Sequence, residues 1–249
     1  MHPLSSIAVV ALLVPAQVAP SRPLPIEGAR TVLAAVVRAA EQKSLQDDAL
    51  TEHYYRVAAR TALQLPEDQR ANALLLAMGI GLDESELMRK NPVTRELWRK
   101  IEPDADRARR LPVLGTPTMR GRHDLAQHFA VSGALTAMSG AKLAESAGIL
   151  KEQLDMQPGG SGFSFVDLLA DLAGIAFANH LQRDPKRLDK LSGSFRVIDF
   201  LPAFQGLREG LSREEFTRDF GTVSEERFRK ELDALRKRVD SLPVYPVPK

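Results

Sequence analysis

Apolar residues recur at the three- and four-residue spacing of an amphipathic helix along most of this chain. We expect a helical N-terminal subdomain at residues 27–110, in which a helix begins after Leu65. Gly79 and Gly81 are expected to end that helix, because glycine favours helix ends. Two prolines and a glycine in residues 111–119 then predict a connector.

The second half of the chain has the same helical period. It predicts helix over residues 123–156 with a break near Gly140, and a further helix at Phe165–Asn179. Apolar residues near 195–200 are compatible with a short strand or a loop. The predicted fold is therefore all-α, an irregular helical bundle that includes at most one short strand.

Residues 186–249 are expected to form a C-terminal helical extension that ends in a proline-rich tail. Ser212 is followed three residues later by Glu215, and this spacing is typical of a capping box at a helix start. Thr222 and Glu225 repeat the spacing, so they predict a second capped helix.

The N-terminus carries the apolar run Ile7–Val14 and then small residues typical of a cleavage site. We expect residues 1–19 to be a signal peptide and residues 20–26 a linker. The protein is then expected to be exported to the periplasm or the cell envelope. An uncleaved apolar arm is the alternative. The run is too short to span a bilayer, which takes about 20 apolar residues.

The chain carries 34 basic and 32 acidic residues, a balance that gives no reason to expect a nucleic-acid partner. Its densest basic stretch contains Arg107, Arg109 and Arg110, with Arg120 and Arg122 further on, and we interpret this stretch as a solvated linker. Cysteine is absent, which excludes disulfides, thiolate metal sites and cysteine nucleophiles.

Asp124 and His128 lie four residues apart, so they share one face of the predicted helix. Val131 and Leu135 continue that face, which points His128 inward, and Ser132 lies one turn further on. An Asp–His pair can orient an imidazole for base catalysis or for metal binding. An inward histidine that only completes the core is the more common arrangement.

The helix from Phe165 is apolar around most of its circumference, which is typical of a buried helix. Asp167 and Asp171 lie on its one small-residue stripe, and buried carboxylates need partners. His128, Lys151, a bound cation or nearby arginines are the candidate partners. A capping box with Ser164 would also explain Asp167. Asp171 has no such local role, so it is our best candidate for the residue at the centre of a polar network.

Lys151, Glu152 and Asp155 lie in the intervening helix, where an ordinary solvated flank is the alternative to a functional role. Glycine-rich residues Gly160, Ser161 and Gly162 predict a loop before the buried helix. This loop lacks the Lys-Ser/Thr pair of a phosphate-binding P-loop.

The ordered residues Asp124–Phe129, Lys151-Glu152, Gly160–Phe165 and Asp171 resemble the YfiM-like family, a group of small proteins described as bacterial envelope lipoproteins. The resemblance covers roughly residues 121–178 and implies one helical unit, which we place at 111–185, and an envelope location. It implies no reaction. Leu125 departs from the usual lysine of the family, and the missing lipidation cysteine leaves a lipid anchor without support.

Three functional hypotheses follow. The first is a non-enzymatic envelope protein with a buried polar network, without a cofactor, whose partners are peripheral membrane or envelope protein contacts. The second is a metal-dependent hydrolase that binds zinc or manganese, since imidazole with carboxylates suits these ions. The network residues are Asp124, His128, Ser132, Lys151, Glu152, Asp155, Asp167 and Asp171, and the metal ligands would come from His128, Asp124, Glu152 and Asp171. A third interpretation, a binding module built on the Gly159–Phe165 loop, also remains open.

Overall fold

The computed structural model describes residues 23–42 and 45–245, and these residues form thirteen α-helices. The protein is all-α, as the sequence predicts. The expected signal peptide and the last four residues of the tail lie outside the described residues. The helices are α1 Ile26–Glu41, α2 Asp47–Ala62, α3 Glu67–Leu82, α4 Leu87–Lys90, α5 Arg95–Ile101, α6 Asp104–Leu114, α7 His123–Ser139, α8 Ala141–Asp155, α9 Phe165–Arg183, α10 Arg187–Ser194, α11 Val197–Phe200, α12 Arg213–Phe220 and α13 Glu226–Asp240.

Helix α9 forms the centre of the molecule, and all but a few of its residues are buried. Helix α7 packs between α9 and α3, at crossings close enough to require glycine. A Cβ atom on Gly174 would lie 2.1 Å from the carbonyl oxygen of Phe129, and one on Gly79 would lie 2.3 Å from the Cβ of Ala134. The small residues therefore allow the backbones of the three helices to approach one another.

Several predicted helix ends differ from the observed ones. Helix α3 continues through Gly79 and Gly81 to Leu82, because these two glycines serve close packing and do not end the helix. The break at Gly140 is confirmed, since α7 ends and α8 begins on either side of it. Helix α6 runs to Leu114 with Pro112 inside it, so the first part of the expected connector is helical.

The short strand considered near residues 195–200 is wrong, because Val197–Phe200 form helix α11. The apolar residues there contribute aromatic rings to the core. The Phe195 ring stacks on Tyr55 with 4.3 Å between centroids and on Phe200 with 4.8 Å. Ring stacking, rather than pairing with another strand, therefore explains this apolar stretch.

The interpretation of the basic stretch as a solvated linker is also wrong for two of its arginines. Arg110 is fully buried and donates to the carbonyl of Gly81 at 2.6 Å and to the carboxylate of Glu102 at 2.6 Å. Arg107, also buried, donates to the carbonyl of Asp83 at 2.9 Å. These guanidinium groups satisfy the carbonyls at the end of α3, whereas Arg109 is exposed.

At the C-terminal end, Ser212 and Glu215 form the predicted capping box of α12. The second box is only half formed: Glu225 accepts from the backbone N–H of Thr222 at 3.2 Å, but α13 has no side-chain cap. Helix α13 packs an apolar stripe against α9. No helix within residues 23–42 and 45–245 is long and apolar enough to cross a membrane.

Candidate functional site

Helices α7, α8 and α9 meet at a cluster of charged side chains, to which all three contribute. Helix α7 supplies His128 and Ser132, and α9 supplies Asp171, whose side chain lies between the other two helices. The periodicity of each helix places these side chains on its inward face. Sequence reasoning proposed the members, and the structure determines which of them touch.

Asp171 accepts two hydrogen bonds through one carboxylate oxygen. Its Oδ1 atom lies 2.7 Å from the Ser132 hydroxyl, which donates to it, and 3.0 Å from Nδ1 of His128. The other oxygen, Oδ2, is buried without a hydrogen-bond partner among the described residues. It faces Gly148 of α8, where a Cβ atom would lie 2.6 Å from it.

His128 lies between two carboxylates. Its second ring nitrogen, Nε2, is 3.5 Å from Oδ2 of Asp167. Burial alone would lower the pKa of His128, but the charge and the hydrogen bond of Asp171, together with the charge of Asp167, raise it above its usual value. An imidazole held between two anions favours the protonated form, and that form cannot accept a proton as a general base.

Lys151 neutralises the carboxylates of α8 and α9. Its ammonium lies 2.9 Å from Glu152, 2.8 Å from Asp155 and 3.9 Å from Asp167. Although burial opposes its charge, these neighbouring carboxylates raise the pKa of Lys151. The lysine therefore acts as an internal cation among these three carboxylates.

Glu152 connects this cluster to the start of α9. Its side chain is fully buried, which rules out the solvated flank considered for this residue. Its Oε2 atom accepts from the backbone N–H of Ser164 at 2.8 Å. Burial raises the pKa of Glu152 to about 7, although Lys151 acts in the opposite direction.

Ser164 caps α9 by accepting from the backbone N–H of Asp167 at 3.0 Å. The reciprocal half of a capping box is replaced, because the N–H of Ser164 donates to Glu152. The carboxylate of Asp167 is thereby free to approach His128 and Lys151. Burial is the main cause that raises the pKa of Asp167.

The glycine-rich loop wraps the end of α8. Gly162 donates its N–H to the carbonyl of Asp155 at 2.8 Å, and a Cβ atom on Gly160 would lie 2.2 Å from that carbonyl oxygen. Ser161 is exposed. The loop therefore holds α8 and α9 together, and its glycines serve contact with the protein's own backbone.

Asp124 belongs to a neighbouring ion pair and makes no hydrogen bond with His128. Arg122 donates to both oxygens of Asp124, at 2.5 and 3.1 Å, and to Glu209 at 2.6 Å. These contacts lower the pKa of Asp124 in spite of its burial. Arg122 also lies 3.5 Å from Asp167, so it links the pair to the cluster. The sequence indicated only nearby arginines in general as partners of the carboxylates, and it did not indicate Glu209, since the fold alone brings Arg122 and Glu209 together.

A cavity of about 250 Å³ opens above Asp171, His128 and Ser132. Side chains of α7 and α8 form its apolar walls, and residues 83–91, which include α4, form its other side. The apolar lining residues are Leu87, Met88, Val131, Leu135, Ala147, Leu150 and Leu154. The cavity thus places an apolar volume directly against the charged cluster.

Comparison with family models, with curated proteins and with known structures gives no match. The site must therefore be interpreted from its own geometry.

His128, Glu152 and Asp167 present one potential ligand atom each within 4.8 Å of one another. The set expected from the sequence included Asp124 and Asp171. Asp124 faces Arg122, and Asp171 binds the opposite nitrogen of His128, so Asp167 takes their place in this group.

Proposed function

We propose that this protein is a non-enzymatic binding protein whose cavity takes a small apolar molecule. The observation that carries the proposal is the cavity of about 250 Å³, whose walls are mostly apolar and whose polar lining residues include His128, Ser132 and Asp171. Ligand sites in proteins are typically concave and mostly apolar, with a few polar groups that orient the ligand. An engineered cavity of about 150 Å³ is already large enough for benzene.

The polar cluster supports the cavity by holding its helices in place. His128 and Ser132 on α7 both bind Asp171 on α9, and Glu152 on α8 binds the start of α9. The hydroxyl of Ser132 donates to the weakly basic carboxylate of Asp171 and not to a histidine, so the serine–histidine pair of a typical activated nucleophile is not formed. These contacts favour a structural role for the cluster.

The test of this proposal is thermal melting with 1-octanol and with toluene, for the wild type and for Ala147→Phe. Ala147 lines the cavity and is partly exposed, so a phenyl ring there fills the cavity without entering the core. A ligand that binds only the folded state raises the melting temperature, so the wild type should gain and the variant should not. No gain in the wild type, or an equal gain in the variant, contradicts the proposal.

The cellular setting remains a proposal from the sequence. We propose an exported envelope protein, supported by the resemblance to the YfiM-like family and by the N-terminal apolar run. N-terminal sequencing of protein from the envelope fraction tests it. A mature chain that begins near residue 20 is expected, whereas an intact Met1 contradicts cleavage.

A metal-dependent hydrolase is the second candidate, favoured by the group His128, Glu152 and Asp167. Asp171 binds Nδ1 of His128, and a carboxylate in that position commonly orients a histidine that binds metal through its other nitrogen. The ammonium of Lys151 opposes metal binding, because it lies 2.9 Å from Glu152.

Calorimetric titration with Zn²⁺ and Mn²⁺ tests this candidate. If the group binds a metal, Lys151→Gln should bind it more tightly than the wild type, since the competing cation is removed. Lys142→Gln, an exposed change on the same helix, should leave the affinity unchanged. Absence of binding to both the wild type and Lys151→Gln excludes the metal site.

A further inference from the structure

Two carboxyl groups line the cavity, Asp83 and Asp171, and both are buried. Asp83 accepts from the backbone N–H of Ser85 at 2.9 Å and from the indole of Trp98 at 3.1 Å, and it is buried. Asp171 is likewise buried: its Oδ1 atom accepts from two side chains, and its Oδ2 atom is enclosed by the protein. A ligand in the cavity therefore meets no accessible carboxylate.

Two residues at the end of α4, Lys90 and Asn91, offer the cavity hydrogen-bond donors that the described residues do not use. The ammonium of Lys90 is exposed and has no hydrogen bond or ion pair within the described part of the chain. Asn91 uses its side-chain oxygen to accept from the backbone N–H of Val93 at 2.9 Å, which leaves its amide N–H₂ group as a donor. Both residues line the cavity, so one positive charge and one neutral donor are available there.

Lys151 also lines the cavity, but its ammonium is already held by Glu152 and Asp155 at 2.9 and 2.8 Å. A ligand anion at Lys151 would have to displace those carboxylates. Lys90 requires no such exchange, and it is therefore the better partner for an anion.

We infer that the cavity binds a free, single-chain carboxylate, with its hydrocarbon chain against the walls and its head group at Lys90 and Asn91. This inference rests on the proposed function and names its ligand class. A volume of about 250 Å³ accommodates a chain of about ten non-hydrogen atoms, on the scale of a roughly 150 Å³ cavity that holds benzene. The two chains of a membrane lipid together exceed this volume.

The experiment is calorimetric titration of the full chain with octanoate, 1-octanol and octylammonium, which share one chain and differ in charge. Octanoate should bind most tightly and octylammonium most weakly. Lys90→Gln should weaken octanoate binding by about threefold to fivefold, the upper part of the range of an exposed ion pair, and leave 1-octanol binding unchanged. Lys142→Gln makes the same change of charge away from the cavity and should alter neither ligand.

The outcomes separate the two proposals. If 1-octanol binds and octanoate binds no more tightly, or if Lys90→Gln leaves octanoate affinity unchanged, the ligand class is wrong while the binding function stands. If none of the three ligands binds the folded protein, the proposed function itself is wrong. If Ala147→Phe binds octanoate as tightly as the wild type does, octanoate binds outside the cavity, and the inference is wrong.

Discussion

The carboxylate of Asp171 receives two side-chain donors on one oxygen, while its other oxygen faces Gly148 without a hydrogen bond. The stability of a buried carboxylate in this position depends strongly on its two donors, His128 and Ser132. Burial alone would lower the pKa of His128, but the charge and hydrogen bond of Asp171 raise it, which favours a charged imidazole beside this carboxylate. The pair is therefore the central electrostatic contact between α7 and α9.

Asp171→Asn should lower the free energy of unfolding at pH 7 by about 1–3 kcal/mol, since the charge that stabilises His128 is removed. The pKa of His128 should fall as well, which a merely steric effect would not produce. Urea denaturation and NMR titration of the imidazole measure the two effects. Asp189→Asn, at an exposed position, should change stability by less than about 0.5 kcal/mol. An unchanged His128 pKa in Asp171→Asn contradicts this account.

Glu152 should make stability depend on pH. Its pKa is raised from 4.5 to about 7 on folding, so the proton is bound more tightly in the folded state. The stabilisation is fully present below pH 4.5 and is lost as pH rises through about 7, a change of about 3 kcal/mol for this buried group. Glu152→Gln keeps a neutral acceptor for Ser164 and should flatten the curve in that window.

Urea denaturation at several pH values between 4.5 and 7.5 measures the difference between the two curves. Glu67→Gln, which changes an exposed glutamate of α3, should run parallel to the wild type. If Glu152→Gln also runs parallel, the carboxyl group of Glu152 is not the source of the pH dependence.

The sequence indicated which residues belong to the site, but it did not indicate which of them contact one another. Helical spacing placed His128, Asp167 and Asp171 on inward faces, and all three lie in the cluster. Spacing also suggested that Asp124 would accept a hydrogen bond from His128, whereas Asp124 accepts from Arg122 instead. A side chain chooses between partners by three-dimensional distance, which periodicity along one helix does not contain.

At the scale of the helices, close crossings depend on glycine. Gly174→Ala should destabilise the protein by about 1–3 kcal/mol, because the added methyl group would overlap the backbone of Phe129 on α7. Alanine has the higher helix propensity by about 1 kcal/mol, so propensity alone predicts the opposite sign.

Gly193→Ala in α10 is the matched control, since nothing lies within 4 Å of the added Cβ atom. It should leave stability unchanged or raise it slightly. Thermal melting of both variants decides between packing and propensity, and a stabilised Gly174→Ala variant would refute the close crossing.

Helix positions were predictable where a local signal exists. The Gly140 break and the Ser212 capping box depend on neighbouring residues, and both appear in the structure. The C-terminal end of α3 and the helix at Val197–Phe200 were mispredicted, because tertiary packing decides them. Tertiary packing overrides local helix propensity where a contact requires a glycine or an aromatic residue.

At the scale of the whole molecule, the all-α fold follows from the helical period, but the cavity does not. Its walls come from residues 83–91 and from α7 and α8, which lie far apart in the sequence. Leu87 and Leu135 read as ordinary apolar positions in the sequence. Only the assembled fold shows that they enclose a volume above Asp171.

The central claim is that this cavity accepts an apolar ligand. Methyl-detected NMR during a titration with 1-octanol tests it most directly, since Leu87, Met88, Val131 and Leu135 carry methyl groups at the cavity. We predict saturable shifts concentrated on these methyls, with Leu232 and Val239 of α13 unaffected. Shifts spread evenly over the protein, or no shifts at saturating ligand, would contradict the account.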